Sequence, residues 1–265
     1  MRPKLSIVTP SFNQGKFLEE TIRSVLDQGY EPLEYIVIDG GSTDESVRII
    51  RRYEKHLAYW VSEKDRGQVH AINKGIERAT GDLFAYINSD DVYLPGAFAA
   101  VAGYFASHPD CEWLCGDTVM FGEGRETELV RARVPESAAH ALSWAYVRLL
   151  LDGHRCEHLS AALAKYRLHA ASKTVADSKK FEEEFDRSAE LYEDRLSGAD
   201  KRWCRATRYL RRSYAASASG DRREGSRWLV RAALTHPESL AARPFWGCLR
   251  RLAAGGGGRA RSELG

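Results

Sequence analysis

A chain of 265 residues that is 43% hydrophobic and 29% charged can bury one large core, or a domain with an appendage, and it contains no apolar stretch of membrane-spanning length. Its five cysteines are scattered and odd in number with no CxxC pair, which excludes a disulfide scaffold or a zinc knuckle and fits reduced thiols in a cytosol; Leu5 to Val8 is too short for a secretory leader. The net charge of +2 hides an asymmetry: 15 Lys and Arg against 4 Asp and Glu from Lys201 to Gly265, a local +11, and 24 against 33, or −9, over residues 1–200.

Leu5–Thr9 reads as a first strand and Pro10–Gly15 as its loop. A helix follows in which Phe17, Leu18, Ile22, Val25 and Leu26 recur at helical spacing. Glu34–Ile38 is a second strand, and Asp39-Gly40-Gly41-Ser42-Thr43-Asp44 leads into a helix carrying Val47, Ile50 and Tyr53, with Ser42 or Thr43 as its N-cap. Leu57–Val61 is a third strand, after which Lys64-Asp65-Arg66-Gly67 opens a helix with Val69, Ile72 and Ile76 as its apolar face. The apolar run Leu83–Ile87, bounded by Gly81-Asp82 and Asn88-Ser89-Asp90-Asp91, reads as a buried fourth strand of a parallel sheet. Four such alternations with short connections predict an α/β fold: a three-layer α/β/α, Rossmann-like domain with a mostly parallel sheet and its function at the carboxyl ends of the strands. A helix from Gly96 to about Ser107, a strand near Glu112–Cys115 and β segments around Val119 and Leu129–Arg133 extend it.

From Lys179 the pattern is helical. Phe181, Phe185, Ala189, Tyr192 and Leu196 form one face, Trp203, Leu210 and Tyr214 another, and Trp228, Leu229, Ala232 and Ala233 a third, with Ser219-Gly220-Asp221 as a turn between helices. The expected division is residues 1–175 as the α/β domain, 176–252 as a helical C-terminal region and 253–265, with four consecutive glycines, as a disordered tail. The Arg-rich helices present either a solvated face or a contact with anionic lipid; nucleic-acid binding would rest on their charge alone and is not expected.

Asp90 and Asp91 stand at the exit of the fourth strand. As hard oxygen ligands they suit Mg²⁺ or Mn²⁺ shared with substrate phosphates, or else they cap the helix that opens near Pro95-Gly96. Two more loops share their edge of the sheet, Thr9-Pro10-Ser11-Phe12-Asn13 and Asp39-Gly40-Gly41-Ser42, with Asp65-Arg66-Gly67-Gln68 and Ala71-Ile72-Asn73-Lys74-Gly75 between. This ordered set resembles the donor half of a family 2 glycosyltransferase with the GT-A fold, over roughly residues 4–135 and again from Val147 through Thr174. The resemblance implies a nucleoside-diphosphate-sugar donor held by Thr9, Pro10, Phe12, Asn13, Asp39, Gly40, Arg66, Gly67, Asn73 and Asp90. It also implies a metal on Asp90 and Asp91, with His169 of the segment Tyr166–Thr174 either facing the metal or serving the structure. Phe12 offers an apolar face to the base, and Gly40 and Gly41 let the backbone approach closely. Asp39 either accepts from the base edge or stabilises its own turn, and Arg66 either forks onto the diphosphate or forms a surface ion pair. Asn88 stands where the family's acidic motif begins with Asp.

Inverting transfer to a glycan or lipid-linked acceptor also needs a general base near the attacking hydroxyl. Val147–Arg155 resembles the later part of the helix that follows that base in the family. Ser143-Trp144-Ala145-Tyr146 runs straight into it, so the acceptor loop and the acidic-aromatic turn are expected to be missing at the Tyr146–Val147 junction. Asp117, read as ending a strand, is either a substitute base or an ordinary turn acid. The resemblance therefore implies a glycosyltransferase of polysaccharide or glycoconjugate assembly, cytoplasmic or peripheral at the inner membrane face; the alternative is a donor-binding pseudo-enzyme with a regulatory role. A nicotinamide-dependent dehydrogenase is disfavoured because the first loop lacks GxGxxG.

Overall fold

A computed structural model describes residues 2–122, 125–132, 154–169, 196–241 and 243–254. The chain divides into two compact units, Met1–Arg133 with Glu157–Ser172, and Val134–Cys156 with Lys173–Gly265.

The first unit opens with β1 (Leu5–Ser11), α1 (Gly15–Leu26), β2 (Leu33–Asp39), α2 (Ser46–Tyr53), β3 (Tyr59–Ser62), α3 (Gln68–Ile76) and β4 (Leu83–Tyr86). The strands pair in the order β3-β2-β1-β4, all parallel. Side chains alternate across this sheet with period two. Leu5 and Ile7 of β1 and Tyr35 and Val37 of β2 pack with Leu18, Ile22, Ile49 and Ile50 of α1 and α2. Val8, Ile36 and Ile38 face the other way, onto Ala71 of α3. The result is the expected three-layer α/β arrangement.

Several expectations are corrected in detail. β1 runs on to Ser11, so Pro10 and Ser11 are buried strand residues rather than loop residues. Proline fits there because β4 pairs only with Leu5–Val8, leaving one side of β1 without a ladder beyond that point. In α3 the inward residues are Ala71 and Gly75, while Val69 and Ile76 of the expected apolar face are exposed. A Cβ on Gly75 would collide with the Val8 methyl groups, so the helix lies too close to β1 for a large side chain. The fourth strand lies at the end of its sheet, with Phe84 43% and Tyr86 49% exposed, so it is not the buried strand its apolar run suggests. α2 starts at Ser46 without a side-chain cap from Ser42 or Thr43.

At the amino end of this sheet Glu34 is buried and accepts from Lys4 Nζ (2.8 Å), Ser6 Oγ (2.5 Å), Thr80 N (2.7 Å) and Thr80 Oγ1 (2.7 Å). Burial pushes its carboxyl up, but these donors outweigh burial and hold it at about 2.

A second sheet follows, built from β5 (Val92–Tyr93), β6 (Trp113–Gly122), β7 (Arg125–Val130) and β8 (Cys156–Leu168), with α4 (Ala97–Ser107) between β5 and β6. Its order is β5-β8-β6-β7. β8 has no counterpart in the sequence expectations: Ala161, Ala162 and Ala164 give it weak β propensity. Its pairing with β5, Val92 opposite Lys165 and Tyr93 opposite Ala164, brings the end of β8 to the acidic turn after β4.

In the second unit α5 (Gly198–Ala218), α6 (Arg222–Thr235) and α7 (Arg243–Ala254) pack around Ala206, Leu210, Leu229, Ala232, Phe245 and Cys248. The expected turn at Gly220 is present, with φ 89° at the glycine and Asp221 capping α6 through Glu224 N. The helix expected over Phe181–Tyr192, the Tyr146–Val147 junction and the tail from residue 255 lie outside the described residues.

Candidate functional site

In the strand order β3-β2-β1-β4 the chain winds one way from β1 to β3 and then returns to the opposite side of β1. The order therefore reverses between β1 and β4, where open α/β sheets bind ligands at the carboxyl ends of their strands. The loops after β1, β2, β3 and β4 all emerge at that edge.

The first two loops are clipped together. Asn13 N donates to Ser42 Oγ (2.8 Å), Thr43 N donates to Asn13 Oδ1 (2.9 Å), and Gly15 N donates to Asp44 Oδ2 (2.8 Å). Asn13 takes φ 52°, a left-handed conformation that asparagine tolerates. Asp39 is fully buried: Ser42 N (2.8 Å), Gly41 N (3.2 Å) and Ser62 Oγ (2.6 Å) donate to Oδ2, and Ser42 Oγ (2.5 Å) to Oδ1. Asp39 thus accepts from Gly41 and Ser42 of its own turn and from Ser62 of β3, the contacts that the turn-stabilising reading requires. Thr9 is likewise turned inward, its Oγ1 3.0 Å from the Tyr35 hydroxyl.

What this edge leaves open is different in kind. Phe12 is 59% exposed, and Ser11 Oγ is buried without a hydrogen-bond partner among the described residues. Arg66 is exposed with no carboxylate partner among them, beside Gly67, whose φ of 108° starts α3. Asp65 bonds Gly67 N (2.7 Å) and lies over Gly40, where a Cβ would stand 2.9 Å from its Oδ2. Asn73 lies exposed on α3.

The turn after β4 carries the acidic pair. Asp91 is buried, with Arg167 N donating to Oδ1 (2.9 Å) and Asn88 Nδ2 to Oδ2 (3.1 Å). Burial pushes its carboxyl up to about 6; the Arg167 amide pulls it down, and the neighbouring Asp90 charge adds to the rise. Asn88 in turn accepts from Gln68 Nε2. An amide at position 88 can donate to Asp91 while accepting from Gln68, which a carboxylate cannot do. His169 Nε2 lies 3.0 Å from Asp90 Oδ2.

Among the described residues no group of three or more His, Cys, Asp or Glu is arranged to hold a metal ion. Asp91, expected as a ligand, accepts one hydrogen bond at each oxygen, from Arg167 N and Asn88 Nδ2, while the neighbouring Asp90 carboxylate lies against the His169 imidazole. One carboxylate oxygen and one imidazole nitrogen fit a divalent cation that takes its other ligands from water and diphosphate.

Arg167 binds this turn to its surroundings and was not singled out from the sequence. Its Nε donates to Asp90 O (2.9 Å), its guanidinium pairs with Glu20 (2.5 Å), and it lies against the rings of Phe17 (4.8 Å) and Phe121 (4.3 Å). Phe17 also packs on His169, with ring centroids 4.6 Å apart.

Asp117 does not end a strand; it lies within β6. His158 Nε2 (2.8 Å) and Ala132 N (2.9 Å) both donate to its Oδ1, and these bonds hold its carboxyl below the usual range. A lowered carboxyl with Oδ1 engaged by two donors is the pattern of the ordinary structural acid rather than of a base, which works best with a pKa near the operating pH.

The family model for "Glycosyl transferase family 2" matches residues 6–139, half of the chain. An uncharacterized glycosyltransferase of Mycobacterium tuberculosis is 44% identical over 90 residues, 34% of each chain. The putative teichuronic acid biosynthesis glycosyltransferase TuaG of Bacillus subtilis is 40% identical over 95 residues, 34% of this chain and 37% of that one. The match thus spans about a third of the length of these relatives. Among solved structures, S. aureus TarS 1–349 in complex with UDP-GlcNAc aligns over 94% of this chain and 88% of that one, with a TM-score of 0.66 and 17% identity, a likeness of fold. By its family match and its two-sheet α/β architecture, the chain belongs to glycosyl transferase family 2 and has the GT-A fold.

Proposed function

We propose that the protein is an inverting glycosyltransferase that moves a sugar from a nucleoside-diphosphate-sugar donor to a hydroxyl of a glycan or lipid-linked acceptor in polysaccharide or glycoconjugate assembly. The observation that carries this reading is the Asp90–His169 pair at the exit of β4, two donors next to the point where strand order reverses. In this reading the two residues hold Mg²⁺ or Mn²⁺, which when bound offsets the charge that grows on the departing nucleoside diphosphate. Asp91 stays inward and fixes the turn through Arg167 N and Asn88. Phe12 covers the base, Arg66 forks onto diphosphate oxygens, and Ser11 Oγ, Asn13, Gly67 and Asn73 line the donor crevice. Asp39 acts by shaping the loop from Gly40 to Ser42. The match to a teichuronic acid biosynthesis glycosyltransferase supports an acceptor in glycan assembly, and the basic C-terminal helices support a place at the cytoplasmic face of a membrane.

Calorimetry with UDP-, GDP- and dTDP-sugars, with and without Mn²⁺, followed by a product assay on the donor that binds, tests this reading. Metal-dependent binding of one donor class, with sugar released to an acceptor or to water, is the expected result. Binding without turnover would remove the transfer, and absence of binding would remove the donor site as well.

A further inference from the structure

Each of the two C-terminal helices buries one stripe in the core of the helical unit and turns a mixed stripe outward. On α6, Gly225, Leu229 and Ala232 are buried. Arg223, Arg227, Val230, Arg231 and Leu234, spaced at i, i+4, i+7, i+8 and i+11 on the opposite side, are exposed, with Val230 at 57% and Leu234 at 78%. On α7, Phe245 and Cys248 are buried while Trp246, at 51%, Leu249, at 40%, and Arg250 are exposed at i, i+3 and i+4. Residues 222–254 hold seven arginines against two glutamates. Large apolar side chains set among arginines are the composition of a helix lying in a bilayer interface, where aliphatic groups enter the acyl boundary and guanidinium groups reach lipid phosphates. Among the described residues no helix is long and apolar enough to cross a membrane, so the helices suit lying on one rather than spanning it.

We propose that the outward stripes of α6 and α7 dock the protein on an anionic lipid bilayer. Val230, Leu234, Trp246 and Leu249 enter the interface, and Arg223, Arg227 and Arg250 select the negative headgroups. This gives the membrane partner of the proposed function a defined surface, and it rests on the helical unit's own side chains rather than on the donor site.

Sedimentation of the full chain with phosphatidylglycerol vesicles, and with phosphatidylcholine vesicles as the neutral control, tests the proposal. Cosedimentation with the anionic vesicles alone is expected. Leu234→Ser with Trp246→Ser, and separately Arg223→Glu with Arg227→Glu, should each weaken it by at least about tenfold. All four residues are exposed, and circular dichroism of the variants checks that they fold. No cosedimentation of the native chain overturns the proposal. So does binding that the charge variants lose and the apolar variants keep, which is adsorption without insertion. Self-association in solution that the apolar variants abolish, without vesicle binding, assigns the face to a second copy instead. Nucleotide-sugar binding should be unchanged in all variants, so a failed donor site and a failed lipid face are separate results.

Discussion

Glu34 and Asp91 are both buried carboxylates, at opposite ends of the same parallel sheet, and they are pushed in opposite directions. Burial raises the carboxyl of each. At the amino end Glu34 meets a lysine, two hydroxyls and an amide, and is held at about 2. At the carboxyl end Asp91 receives two amide donors, with the charge of Asp90 beside it, and is pushed up to about 6. The guanidinium that could neutralise it is directed to Glu20 and the Asp90 carbonyl. The donors at Glu34 outweigh burial; those at Asp91 do not. In the proposed reading the raised Asp91 carboxyl belongs to an end that receives a cation, and the lowered Glu34 carboxyl to a structural anchor.

The sharpest way to separate the two ends is to remove one carboxylate from each. Asp90→Ala should lower metal-dependent donor turnover on the order of 10²–10³-fold, because a charged ligand is lost where charge develops, with little change in thermal midpoint. Glu34→Ala should do the reverse. Leaving Lys4, Ser6 and Thr80 without their acceptor should cost about 3 kcal/mol in urea unfolding, with donor affinity unchanged. An equal loss of donor binding in both variants would erase the contrast. Glu34 also sets a pH dependence: its folded value lies below the ordinary 4.5, so its stabilisation is present above about pH 4.5 and is lost as pH falls toward 2. Glu34→Gln should flatten that acid limb of a stability-against-pH curve. A smaller effect belongs to the packing between the ends. Gly75→Ala places a methyl group against Val8 and should destabilise by about 1–3 kcal/mol, read as a shift of the urea midpoint.

How much of this was legible in the sequence depends on the range of the interaction. The strands β1 to β4, the loops between them and the positions of Asp39, Asp90 and Asp91 follow from short-range periodicity and turn chemistry. The inward face of α3 did not, because it is made by Ala71 and Gly75, small residues that leave no hydrophobic signal while Val69 and Ile76 leave a misleading one. β8 was hidden for a similar reason, its alanines favouring helix over strand. Side-chain direction was least legible. Two adjacent aspartates look equivalent in sequence, and only the distant end of β8 tells them apart: Arg167 N, 76 residues from Asp91, donates to Asp91 Oδ1, and His169 Nε2 lies against Asp90 Oδ2. The segment Tyr166–Thr174 holds that arginine, but nothing local marks it as the residue that fixes the acidic turn.

The least disruptive test of the comparison is to keep the shape of Asp91 and remove its charge. In Asp91→Asn the amide oxygen can still accept from Arg167 N. The Asn88 side chain can turn its oxygen toward the new amide nitrogen, with Gln68 turning in step, since each of these groups both donates and accepts. What is lost is a buried negative charge that two amides only partly balance. Without divalent ion at neutral pH the variant should therefore be more stable than the native chain, by about 1 kcal/mol in urea unfolding. With Mn²⁺ and a nucleoside-diphosphate sugar present the order should reverse, because the native site gains binding energy that the variant gains less of. A variant less stable than the native chain under both conditions would show that Asp91, like Glu34, is an anchor, and the two ends of the sheet would no longer differ.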